Sequence, residues 1–166
     1  MDKLSIIKNK IYTAQSIQPI LNIWRFKSDK IVFSNGCFDI LHRGHVEYLA
    51  QAANLGNRLI IGLNTDNSVK RLKGEKRPFQ DETSRSIVLA SLLFVDAVVL
   101  FDEDTPYELI KNIKPDILVK GNDYKPEQIA GYDIVTNNGG SVVTVNLVEG
   151  YSTTSVLNKL DNNSSN

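Results

Sequence analysis

From Lys30 onward the chain alternates short, almost unbroken apolar runs with stretches of helical periodicity, and this alternation restricts the fold more than any other feature. The runs are Ile31-Val32-Phe33, Leu59-Ile60-Ile61-Gly62-Leu63, Ala97-Val98-Val99-Leu100-Phe101, Ile117-Leu118-Val119 and Val142-Val143-Thr144-Val145. Runs of this length, rich in valine and isoleucine, suit strands buried on both faces. Between the first two, Val46, Leu49, Ala50 and Ala53 lie at helical spacing and the face ends at Gly56. Ile87, Val88, Leu92 and Leu93 mark a second helix opened by Asp81-Glu82-Thr83-Ser84. Leu109, Ile110 and Ile113 mark a third, with Thr105 as cap and Pro106 at the first helical position. The order predicts an α/β domain: a Rossmann-like, three-layer α/β/α arrangement with a five-stranded parallel sheet and right-handed crossovers.

The domain is expected over residues 30–160. Residues 1–29 place Ile6, Ile7, Ile11, Ile17, Ile20, Leu21, Ile23 and Trp24 mostly three to four apart, which reads as an N-terminal helical extension broken near Pro19. Residues 161–166 are polar and read as a frayed tail. With 166 residues the chain has room for one domain and not for two full enzymatic ones.

Charge narrows the partners. Lysine plus arginine number 19 and aspartate plus glutamate 19, so no global basic field exists to hold nucleic acid or an anionic membrane, and any anion site must be local. The single cysteine, Cys37, excludes an internal disulfide. Neither a secretory leader nor a long apolar run is apparent, which makes a cytoplasmic location the expectation.

In a parallel sheet of this kind ligands lie beyond the carboxyl ends of the strands. The first such loop, Ser34-Asn35-Gly36-Cys37-Phe38-Asp39-Ile40-Leu41-His42-Arg43-Gly44-His45, holds both histidines of the chain. It is not the dinucleotide G-x-G-x-x-G, and no P-loop occurs, so an ordinary dehydrogenase or P-loop kinase is excluded. Gly36 and Gly44 let backbone approach a ligand, and amides at a helix start favour anions, so phosphate is the natural guest. Two other readings stay open here: a solvated histidine pair, or a metal site of His42, His45 and Asp39. The run Lys70–Pro78 places five basic residues in positions 70 to 77, either a solvated loop or a polyphosphate contact. Val119-Lys120-Gly121-Asn122-Asp123-Tyr124 is either turn chemistry or a base and sugar-phosphate contact. Tyr151-Ser152-Thr153-Thr154-Ser155, after the last apolar run, exceeds what a helix cap requires and suggests a second anion site.

Together these segments resemble the H-x-G-H nucleotidyltransferase superfamily, of cytidylyltransferase-like fold. Asn35-Gly36-Cys37-Phe38-Asp39 with His42-Arg43-Gly44-His45 matches its signature, and Tyr151–Ser155 its C-terminal hydroxyl motif. Arg71-Leu72-Lys73-Gly74, Phe101–Pro106, Asp116–Gly121 and Glu149–Thr154 are similar to the adenylyltransferase part of ADP-heptose synthases, here without room for the sugar kinase that many relatives carry. Asn122 stands where relatives often have a small residue.

The resemblance implies transfer of AMP from ATP to a sugar 1-phosphate, with Mg²⁺ bridging phosphate oxygens. It implies His42, His45 and Lys73 as catalytic residues. Nucleotide contacts would come from Asn35, Gly36, Cys37, Phe38, Asp39, His42, Gly44, His45, Lys120, Gly121, Asp123, Tyr151, Ser152, Thr153, Thr154 and Ser155. The acceptor would meet Asp66, Arg71, Lys73 and Arg85, and Asp39 would help place Mg²⁺. A homo-oligomer, most simply a dimer, is implied as well. A cytidylyltransferase acting on glycerol 3-phosphate or another alcohol phosphate is the rival enzyme, and a nucleotide-binding module without turnover the rival from another class.

Overall fold

The computed structural model describes residues 2–122 and 125–146. Its elements run α1 (Lys3–Lys8), β1 (Ile11–Tyr12), α2 (Gln18–Phe26), β2 (Ile31–Gly36), α3 (Arg43–Ala53), β3 (Arg58–Asn64), α4 (Asp66–Lys73), α5 (Glu82–Ala90), β4 (Ala97–Phe101), α6 (Tyr107–Ile113), β5 (Ile117–Gly121), a 3₁₀ turn (Pro126–Gln128), α7 (Tyr132–Asn137) and β6 (Ser141–Val145). The strands form one parallel sheet in the order β1-β4-β3-β2-β5-β6.

The three-layer α/β/α reading holds, and alternation along the strands explains it. Ile31, Phe33, Ile60, Val99 and Leu118 point to one face, where Ile17, Leu21 and Trp24 of the α2 region and Leu109, Ile110 and Ile113 of α6 cover them. Val32, Leu59, Ile61, Leu63, Val98 and Val119 point to the other, under Tyr48, Leu49 and Ala52 of α3 and Leu89 and Ala90 of α5. Both faces of the inner strands β3, β4 and β5 are covered, so these read as nearly continuous apolar runs.

The expected count of five strands is corrected to six. Residues 1–29 contribute a strand between their two helices: Ile11 and Tyr12 pair with Val98 and Val99, and the Val98 amide donates to the Lys10 carbonyl at 2.8 Å. Two residues are too few to show a period of two inside a helical pattern.

Helix boundaries also differ in instructive ways. Asp81 caps α5 as expected, accepting from the Ser84 amide at 2.8 Å, but the helix stops at Ala90 and Leu93 stands exposed. At α6, Pro106 is itself the cap and Thr105 lies outside the helix. Gly56 is not the cap of α3, which closes at Asn54. A Cβ at Gly56 would fall 2.6 Å from the Lys30 carbonyl oxygen, so glycine is there because the α3–β3 connection presses on the start of β2. The basic run is not simply a loop, since α4 carries it as far as Lys73, capped by Thr65, with Val69 and Ser68 as its buried residues.

The strand order fixes where a ligand can enter. From β2 the chain builds outward through β3 and β4, then returns to lay β5 on the opposite side of β2. The sheet therefore changes winding direction between β2 and β5, and a crevice opens beyond their carboxyl ends. Among the described residues no helix is long and apolar enough to cross a membrane.

Candidate active site

The loop leaving β2 enters this crevice, and its local chemistry explains its shape. Phe38 adopts a left-handed conformation (φ 43°) that is unusual for a bulky side chain. The turn lays the Phe38 ring against Gly36, where a Cβ would approach it to 3.1 Å, and edge-on to the His45 imidazole with centroids 5.2 Å apart. His42 then caps α3, its Nδ1 accepting from the His45 amide at 3.4 Å. The two imidazoles stack with centroids 3.8 Å apart and 21° between planes.

Burial sets their charge. Desolvation pushes the His45 pKa down to about 4, helped by the neighbouring charges of His42 and Lys73, and desolvation also lowers that of His42. His45 is therefore an uncharged imidazole at neutral pH. Its Nδ1 is buried without a hydrogen-bond partner among the described residues, and so is Oδ1 of Asn35 at the end of β2. Both atoms lie beside the start of α3, whose amides favour an anion, and Oδ1 of Asn35 is left to accept from a donor. From β5, the Lys120 ammonium reaches back across the crevice to the Asn35 carbonyl at 3.3 Å. Cys37 is half-buried, and desolvation raises its thiol pKa, which keeps it protonated.

The other expected site residues divide. Lys73, at the end of α4, is exposed, and its charge is felt at both His45 and Cys37. Arg71 is engaged with neighbouring acids: Nε lies 2.9 Å from Asp104 Oδ1, Nη1 3.3 Å from Asp102 Oδ2, and Nη2 donates to the Asp102 carbonyl. Arg85 is fully buried and meets Asp66 itself, Nη2 to Oδ1 at 2.7 Å, so these two expected acceptor contacts hold each other.

Asp39 is also committed. Its Oδ1 accepts from the amides of Phe79 and Gln80 at 2.7 and 3.2 Å, and Oδ2 stands 2.8 Å from Arg77 Nε, an ion pair off the line of a hydrogen bond. Among the described residues no three His, Cys, Asp or Glu side chains gather as a metal set. Asp123 and the hydroxyl motif Tyr151–Ser155 lie outside the described residues. Sequence reasoning missed Tyr48, whose buried hydroxyl meets Ser34 on β2 and Val119 on β5, and no local pattern announces it.

Comparison with known proteins agrees with this geometry. The cytidylyltransferase-like family model matches residues 33–158. Bifunctional protein HldE of Syntrophotalea carbinolica is 49% identical over 152 residues, 92% of this chain and 31% of that protein. The HldE of Actinobacillus succinogenes is 54% identical over 150 residues, 90% of this chain and 32% of that one. The chain thus spans about a third of the length of these bifunctional relatives. The crystal structure of a lipopolysaccharide core biosynthesis protein from Thermoplasma volcanium superposes at a TM-score of 0.58 with 30% identity, over 75% of this chain and 99% of that one. A parallel sheet with its crevice between β2 and β5, a stacked histidine pair opening α3 and a model match over most of the chain converge: the chain belongs to the cytidylyltransferase-like family.

Proposed function

We propose that this domain is an adenylyltransferase that transfers AMP from ATP to heptose 1-phosphate, giving ADP-heptose and pyrophosphate for surface-glycan synthesis. The observation that carries the reading is the stacked His42–His45 pair, with the unpartnered Nδ1 of His45 and Oδ1 of Asn35 beside it at the strand switch. Identity of 49% and 54% to bifunctional HldE proteins supports ATP and a heptose phosphate over CTP and glycerol 3-phosphate.

In this reaction an oxygen of the sugar phosphate attacks the α-phosphorus in line, and the α–β anhydride bond breaks as pyrophosphate leaves. The acceptor oxygen is already ionised at neutral pH, so no general base is required and catalysis consists of positioning and charge stabilisation. The uncharged imidazoles of His42 and His45 donate N–H groups to phosphate oxygens, and stacking fixes their directions. Lys73 supplies an exposed positive charge on the acceptor side, and Lys120, held at the Asn35 carbonyl, another from β5. Ser152, Thr153, Thr154 and Ser155 complete the proposal as contacts to the β- and γ-phosphates. Mg²⁺ bound with the triphosphate would offset its negative charge; Asp39, the carboxylate this loop offers, already accepts from the Phe79 and Gln80 amides and faces Arg77. Exposed Phe26 and Ile23 on α2 support self-association as a dimer, which light scattering of the purified protein tests.

The test is pyrophosphate release by purified protein with Mg²⁺, pairing ATP or CTP with heptose 1-phosphate or glycerol 3-phosphate. Release with ATP and heptose 1-phosphate is expected. Silence in every pairing overturns the transferase reading, and release confined to CTP and glycerol 3-phosphate supports the rival enzyme.

A further inference from the structure

Arg85 is the largest fully buried side chain of the described structure, and each of its three nitrogens donates to a different segment beside the β2–α3 loop. Nη1 donates to the Cys37 carbonyl at 2.6 Å, Nε to the Gln80 carbonyl at 3.0 Å, and Nη2 to Asp66 Oδ1 at 2.7 Å. Cys37 immediately precedes the left-handed Phe38, so its carbonyl orientation sets the turn that lays Phe38 against His45. Asp66 opens α4, whose last residue is Lys73. Gln80 belongs to the segment whose amides Asp39 binds from the same β2–α3 loop. The guanidinium thus connects the histidine loop, the helix that carries Lys73 and the strap between α4 and α5. Its planar fork places donors on three separate nitrogens, whereas an ammonium gathers its three donors at one point and does not span acceptors this far apart.

We propose that Arg85 is a positioning residue for nucleotidyl transfer, acting through the Cys37 carbonyl and Asp66 to hold the His42–His45 pair and Lys73 in one frame. The inference rests on the adenylyltransferase reading. It predicts a loss confined to turnover, because the groups that bind each substrate remain while their mutual alignment relaxes, and misplacement of about 1 Å costs on the order of a hundredfold.

The test compares wild type, Arg85→Lys and Asp66→Ala, each corrected for folded fraction by thermal melting, with ATP affinity read by calorimetry and turnover by pyrophosphate release. Arg85→Lys keeps the buried charge and loses the fork; Asp66→Ala cuts the link to α4 and removes the carboxylate paired with the buried guanidinium. The expected result is a fall in kcat of tenfold or more in Arg85→Lys, with ATP affinity changed less than threefold, and a smaller fall of the same kind in Asp66→Ala. Turnover per folded molecule within threefold of wild type in Arg85→Lys overturns the inference, as does a parallel loss of ATP affinity. If Arg85→Lys does not fold, Asp66→Ala decides by the same split between kcat and ATP affinity. An inactive wild type instead overturns the adenylyltransferase reading itself.

Discussion

Tyr48 on α3 and Ser34 on β2 meet inside the protein with their hydroxyl oxygens 2.8 Å apart, and the Tyr48 hydroxyl also donates to the Val119 carbonyl on β5 at 3.0 Å. With the tyrosine proton committed to Val119, Ser34 must be the donor to Tyr48. The pair links the two strands between which the sheet changes direction. Tyr48→Phe removes both bonds and leaves buried polar groups unmatched, at a cost of about 1–3 kcal/mol. A urea denaturation midpoint lowered by that energy divided by the slope, with the slope itself unchanged, is the expected outcome.

His45→Ala removes a preorganised donor without disturbing a charge. Turnover should fall on the order of a hundredfold, with a much smaller change in KM for ATP. A folded variant turning over at near-wild-type rate would reject the assignment.

The same residue makes stability depend on pH. His45 has a pKa of about 4 in the folded chain against 6.5 ordinarily, so above pH 6.5 it is neutral in both states and contributes no penalty. As pH falls from 6.5 towards 4 the unfolded chain takes up the proton first, and stability drops by at most about 3 kcal/mol. Melting temperatures across that window should decline in the wild type, and less steeply in His45→Gln.

Lys73→Ala leaves the histidine loop and the base of α4 in place. It should lower kcat, raise KM for heptose 1-phosphate about tenfold and leave ATP affinity largely unaltered, a pattern that steady-state kinetics with each substrate varied in turn would read. An equal rise in both would place Lys73 on the triphosphate instead.

Gly56→Ala forces a methyl group to within 2.6 Å of the Lys30 carbonyl oxygen and Val32 Cγ2. Neither neighbour is the free end of a long side chain, so the variant should be destabilised by about 1–3 kcal/mol and melt several degrees lower.

The parallel sheet was legible because strands covered on both faces have to be written as uninterrupted apolar runs, as in Leu59–Leu63. The histidine pair was legible from its place between such a run and a helix. What stayed hidden depends on distance along the chain. Arg85 and Cys37 are 48 residues apart, Asp39 and Phe79 forty, so nothing local separates an arginine that binds a loop from one that binds a phosphate. Asp66, Arg85 and Asp39 all have the residue types of ligand contacts, and their partners inside the fold are what distinguish them. Helix α4 was hidden for another reason: with little but Val69 and Ser68 buried, it shows charge and almost no apolar stripe.

The change of winding at β2 also divides labour between the two flanks of the sheet. β3 and β4 lie to one side of β2 and β5 to the other, while the histidines stand where the loop after β2 enters α3. β2 is paired on both sides, with β3 and with β5, so the histidine loop is anchored from two flanks at once and inherits any shift in either pairing.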